Sequence, residues 1–312
     1  MPLRHIAIPS WPRTTPPRYP TYALATRIQS RLQKELLAWK ALRDDPRRRP
    51  DDAPPPFPTL ISFTPAPTYT LGRRQTEPLS ASELARLRAP LSVSLPPRDD
   101  HKSITTAVFA PEVLHAPRGG LTTYHGPGQA VLWPVIDLRS PQHAHFSVRD
   151  YTCLLEKTTI ATLRRVYGVT GFTTSNPGVW VRKDDDFSRD EEKISALGVH
   201  LRRHVTGLGV AVNVGVSVTG TEATNPWARI VACGLGDRGV TSIAAQLDLL
   251  PTHEIAPEDI TAAWAAEFAE RLELPGAAVE EEDWETWGKE LQFEPVGPGT
   301  DAGFIEGQVM QS

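Results

Sequence analysis

The sequence holds only two cysteines, Cys153 and Cys233, in 312 residues. A disulfide scaffold is therefore excluded, while free-thiol chemistry stays open in a reducing compartment. No apolar run reaches the roughly 18 residues needed to cross a bilayer, so no membrane partner is expected. An excess of one charge is missing too: 33 Lys and Arg stand against 37 Asp and Glu, for a net charge of −4. That balance argues against nucleic acid as a partner.

Proline, by contrast, is abundant. Thirty prolines gather most densely in DDPRRRPDDAPPPFP (44–58), a charged stretch that cannot bury a core and reads as a solvated insertion. RKDDDFSRDEEK (182–193) reads as a second polar loop, and residues 275–312 as an acidic, peripheral C-terminal extension. The first thirty-four residues carry six basic side chains and no acid, a bias shared with mitochondrial presequences. The same region has a strand-like LRHIAI and an i, i+4 stripe of Leu24, Ile28, Leu32, Leu36 and Trp39, which suits a first folded unit equally well.

Short apolar runs predict strands at TLISF, LSVSL, QAVLWPVIDL, GVWV, LGVAVNV and RIVAC. Ser147 with Asp150 three residues on predicts a helix start, with Val148, Tyr151, Leu155, Thr159, Leu163 and Val166 as its buried stripe. Pro257 followed by two acids opens another helix. Many strands and few helices in irregular order predict an α+β fold, a single domain with a mixed β-sheet core flanked by helices.

The stretch ARIVACGLGDRGVTSIAAQL (228–247) admits two readings. Gly234, Gly236 and Gly239 have the spacing of a dinucleotide-binding turn, but that fold needs a second strand ending near an acid, and here DLLPTHEIAPED runs straight into a helix. Cys233 offers the other reading, a thiol at the end of an apolar run with glycines leaving room for a substrate. Such a thiol needs a base or a cation beside it, because the thiolate is the nucleophile. His125, His200, His204 and Lys193 are the candidates. Cys153, mid-helix among apolar neighbours, reads as packing. The densest glycine and ring chemistry is RGGLTTYHGPGQ (118–129), where four glycines bend the backbone and Arg118, Tyr124, His125 and Gln129 offer polar contacts, as a binding loop would.

RGGLTTYHGPGQAVLWPVIDL, KISALGVHLRRHVTGLGVAVNV, and RIVACGL followed by VTSI resemble the octanoyltransferases, also called lipoate-protein ligase B; PTYTLGRR and NPGVWV match in the same order. The resemblance spans about Pro67 to Leu247 and implies the biotinyl/lipoyl protein ligase fold over residues 1–274. It implies transfer of an octanoyl or lipoyl group from acyl carrier protein to a lysine of lipoyl-accepting domains, through a thioester on Cys233 with Lys193 as its partner. Those acceptors are the lipoyl domains of 2-oxoacid dehydrogenase E2 subunits and the glycine cleavage H protein. Its substrate-binding segments fall on Arg118, Gly119, Gly120, Leu121, Thr122, Thr123, Tyr124 and His125, on Ala196, Leu197 and Gly198, and on Gly209, Val210 and Ala211. No cofactor and no metal is implied. The insertion at 44–58 and the spacer SVTGTEATNPWA look like eukaryotic elaborations and point to mitochondria. Two other readings are an ATP-dependent lipoyl or biotinyl ligase and a non-catalytic lipoyl-domain binder. The first expects a basic, glycine-containing adenylate loop that is not found, and the second has no use for both Cys233 and Lys193.

Overall fold

The computed structural model describes residues 2–43, 54–96, 105–182, 191–230, 238–249, 255–274, 279–282 and 303–309. Cys233, Gly234, Gly236, most of RIVAC, and most of both polar insertions lie outside them.

The fold is α+β and built on one mixed sheet. Its strands are β1 (Leu3–Ala7), β3 (Thr59–Phe63), β9 (Gln129–Val135), β10 (Val179–Val181), β11 (Glu192–Arg202), β12 (Val205–Asn213), β13 (Gly239–Val240) and β14 (Val279–Glu282). They run in the order β10-β11-β12-β9-β3-β1-β14, with β13 pairing with β11. The pairings from β3 to β10 are antiparallel, while β1 runs parallel to both β3 and β14. Both faces of this sheet are covered, which is why its central strands read as continuous apolar runs rather than as alternating ones. Along β9, Ala130 and Leu132 enter one core, and Val131, Trp133 and Val135 enter the other.

The first core is closed by α3 (Val148–Tyr167) and α5 (Pro257–Arg271), whose Trp264 and Phe268 stack at 5.0 Å. Trp264 Nε1 donates to Thr159 Oγ1 at 3.0 Å, so the polar atom of this buried ring is satisfied. Ser147 and Asp150 form the expected capping box of α3, and Gly168 ends the helix in a left-handed conformation. Val148 and Val166, assigned to the buried stripe, are exposed instead; Tyr151, Leu155, Thr159 and Leu163 are buried. The two valines sit in the first and last turns of the helix.

The second core is closed by α1 (Tyr22–Arg43), buried through Leu24, Ile28, Leu32 and Leu36, while Trp39 is only half-buried. The basic N-terminal region is thus folded, with β1 between β3 and β14. Near the end of α1, Lys40 Nζ lies 2.6 Å from Asp137 Oδ2, and both groups are buried. Removing either partner would leave an uncompensated charge.

Smaller sheets and two short helices, α2 (Ala81–Arg88) and α4 (Ile243–Gln246), lie around this centre. β4 (Thr68–Leu71) lies between β7 (Glu112–His115) and β8 (Thr123–His125). β6 (Thr105–Phe109) lies between β5 (Leu91–Leu95) and β16 (Gln308–Val309), and β2 (Arg18–Pro20) pairs with β15 (Phe304–Glu306). The described parts of the acidic extension supply β14, β15 and β16, each an edge strand, pairing with β1, β2 and β6. The strand expected at RIVAC also differs at its start: Pro226–Arg229 is a 3-10 turn with Arg229 buried, its guanidinium donating to the carbonyls of Glu222, Leu87, Ala89 and Pro90.

Candidate active site

A cavity of about 550 Å³ lies against β11 and β12. Such a volume falls in the range of roughly 300–1,000 Å³ usual for small-molecule sites. One wall is Lys193, Ala196, Leu197, Gly198 and Val199 of β11 with Leu208, Gly209, Val210 and Ala211 of β12. The glycine loop forms another wall through Arg118, Gly119, Gly120 and Leu121, followed by Thr123 and His125 of β8.

Of the residues assigned to substrate binding, Thr122 and Tyr124 stand apart from this lining. Alternation along β8 sends Tyr124 to the opposite face from Thr123 and His125. There its ring packs against Tyr69 at 5.3 Å and Trp227 at 5.8 Å, as part of a separate core.

Arg118 organises the loop. Its five N–H donors go to Thr70 and to the carbonyls of Gly119 and Leu121, at 2.6 to 3.2 Å. Gly198 makes room for its aliphatic stem: a Cβ there would come within 2.9 Å of Arg118 Cδ. The guanidinium is thus a staple between β4 and the loop.

Lys193 sits where three segments meet. Its backbone faces Trp180 of β10 on one side and Val240 of β13 on the other. Its Nζ donates to Pro177 O at 3.1 Å and lies 4.6 Å from the centre of the Trp180 ring. The Pro177 turn is held in turn by Glu156 of α3, whose Oε1 accepts from Gly178 N at 3.0 Å. Burial pushes the Glu156 carboxyl up, opposed by the Gly178 N–H and by Lys193. Gly178 has φ +120°, and a side chain there would run into Ser195 O, so this turn demands glycine.

A buried amide relay joins the glycine turn to β13. Gly126 N donates to Gln129 Oε1 (3.2 Å), Gln129 Nε2 to Asn213 Oδ1 (2.8 Å), and Asn213 Nδ2 to Thr241 O (2.8 Å). Thr241 N closes the circuit on Lys193 O at 3.0 Å. β13, the next described strand after Cys233 in the sequence, thus lies beside Lys193.

The histidine candidates separate clearly. Burial, with the Arg118 charge second and a Gln129 hydrogen bond opposing, pushes His125 down to about 3, so it faces the cavity as a neutral ring. His200 is also lowered, by burial and then by Arg73. His204 sits with Arg203 in the two-residue turn between β11 and β12, both at positive φ, at the opposite end of β11 from Lys193.

Several lining residues lie outside the sequence assignment: Tyr22, Arg74, Trp133, Thr152, Ser175, Asn176, Pro177, Val199 and Leu208. Arg74, Asn176, Pro177 and Trp133 stand in recognisable motifs. Tyr22 carries no local signal, because only the docking of α1 brings it there.

The lipoyl protein ligase A/B catalytic domain matches residues 47–269, well over half of the chain. The chain belongs to this family. Within it, a protein of Schizosaccharomyces pombe named probable octanoyltransferase is 32% identical over 226 residues, covering 72% of this chain and 81% of that protein. The mitochondrial octanoyl-[acyl-carrier-protein]:protein N-octanoyltransferase of Danio rerio is 31% identical over 201 residues, covering 64% and 73%. The sequence thus stands with the octanoyltransferases of mitochondrial type. A bi-partite lipoate protein ligase of Thermoplasma acidophilum shares the lipoyl protein ligase fold with a TM-score of 0.50 at 12% identity, over 93% of this chain and 90% of that one.

Proposed function

We propose that this chain transfers an octanoyl group from octanoyl-acyl carrier protein to lysines of lipoyl domains, through a thioester on Cys233. The acceptors are those of 2-oxoacid dehydrogenase E2 subunits and of the glycine cleavage H protein, and the site of action is the mitochondrion. The observation that carries the reading is the cavity: largely apolar walls with an amine, Lys193 Nζ, at the end next to β13.

In the first step Cys233 Sγ bonds to the octanoyl carbonyl carbon, the donor's C–S bond breaks, and the carrier thiolate takes up a proton. In the second step the neutral acceptor amine forms the C–N bond and Cys233 leaves as thiolate. In the first step Lys193 takes the Cys233 proton and passes it to the carrier thiolate; in the second it takes the proton that the acceptor nitrogen loses and passes it to the Cys233 thiolate. One thioester replaces another before the amide forms, so no ATP enters the balance. The apolar walls contribute roughly 0.8 kcal/mol per buried methylene of the acyl chain.

Intact-protein mass spectrometry with octanoyl-acyl carrier protein, without ATP, tests the route. The expected result is one octanoyl adduct that maps to Cys233, is absent from Cys233→Ser, and disappears when a lipoyl domain is added. Transfer that requires ATP and free octanoate would instead mean the ligase chemistry of the wider family.

A further inference from the structure

Leu208 has a left-handed backbone, φ +59°, inside strand β12. Among the described residues, the other non-glycine residues with positive φ lie in a hairpin turn (Arg203, His204) or just beyond a helix (Asp248, Glu273). A leucine adopts this conformation only when its surroundings impose it. The surroundings here come from α1. Leu208 N donates to Gln29 Oε1 at 2.5 Å, and Gln33 Nε2 donates to Thr206 O at 3.0 Å. Gly207 lets both glutamines approach, since a Cβ there would collide with them.

The kink changes which way the side chain faces. Regular alternation would put Leu208 with Val210 and Val212, which pack toward α3 and α5. Instead Leu208 joins Val205 and Ala211 in the core under α1, and lines the cavity together with Tyr22 and Trp133. This end of the cavity is buried and apolar, with Leu208, Tyr22 and Trp133 each under 5% exposed. The end at Lys193 carries Ser175 and Asn176. Leu208 pairs with Val199, six residues along β11 from Lys193.

We propose that Leu208, turned into the cavity by its left-handed backbone and held there by Gln29, is the stop that sets the length of acyl chain this protein accepts. The inference rests on the reading that the acyl group lies in this cavity with its carbonyl near Lys193. The tail then runs along the β11–β12 wall, past the Gly198–Gly209 pair, to the wall formed by Leu208, Tyr22 and Trp133. Room for a longer chain at that wall requires a smaller side chain at 208.

Leu208→Gly keeps the backbone conformation at no steric cost and removes the stop. The test measures kcat/KM for octanoyl-, decanoyl- and dodecanoyl-acyl carrier protein with parent and variant. The dodecanoyl-to-octanoyl ratio is expected to rise by about tenfold or more. Should Leu208→Gly be poorly soluble, Leu208→Asn provides the same readout, since asparagine also tolerates positive φ. A folded variant that transfers octanoate with the parent's ratio would overturn the inference while leaving the acyl-transfer reading intact. A parent that takes no octanoyl group from its carrier would overturn both.

Discussion

At the scale of single residues, the neutral His125 links the site to stability. The unfolded chain binds a proton at this side chain near pH 6.5, whereas the folded protein does not until about pH 3. Between those values the unfolded state holds more protons. The stability contributed by the neutral ring is therefore complete above pH 6.5 and declines as pH falls toward 3, by at most about 1.4 kcal/mol per pH unit. His5, also lowered chiefly by burial, acts in the same direction. Urea unfolding at pH 7.5 and pH 5.0 should show His125→Gln losing less stability than the parent on acidification, by up to about 2 kcal/mol. Equal losses would mean that His125 is protonated in the folded protein at pH 5.0. The same depressed state makes His125 unsuited to serve as a cation beside a thiol, a distinction its place in the sequence does not carry.

Among the elements, the glycine loop depends on one guanidinium. A lysine at 118 retains the charge but has neither the planar fork nor five donors, so it cannot hold Thr70, Gly119 and Leu121 together. Arg118→Lys should raise the KM for octanoyl-acyl carrier protein by about tenfold and speed protease cleavage between Arg118 and Thr122, with the melting temperature changed little. A parent-like KM with an intact loop would show that the backbone hydrogen bonds to Arg73 and Arg74 hold it unaided. Helix α3 shows the limit of reading an element from its period. Its capping box is legible because the bonds are local, but Val148 and Val166 keep the apolar spacing and are exposed nonetheless.

For the molecule as a whole, β3, β9 and β12 lie between covered faces and between other strands, so their amides should exchange only through global unfolding. Native-state hydrogen exchange should find these strands slowest and β13 and β14 faster. β13 is two residues long and β14 lies at the sheet edge. Protection in β14 equal to that of β9 would mean that the C-terminal strands unfold only with the entire sheet.

What the sequence determined by itself was whatever its short-range chemistry encodes. Apolar runs marked TLISF and LSVSL as strands, Ser147 and Asp150 began a helix, and four glycines marked 118–129 as a tightly bent loop, part of which lines the cavity. Tertiary structure alone decided the rest, because the deciding contacts join residues far apart in the chain. Tyr22 reaches the cavity through the packing of α1, and Leu208 faces it because Gln29, 179 residues earlier, takes its backbone N–H. Tyr124 leaves it through the alternation of a three-residue strand, and β14 joins β1 across almost the full length of the chain. Periodicity reports which side chains need cover. Only the assembled fold decides what covers them, and where space is left for a ligand.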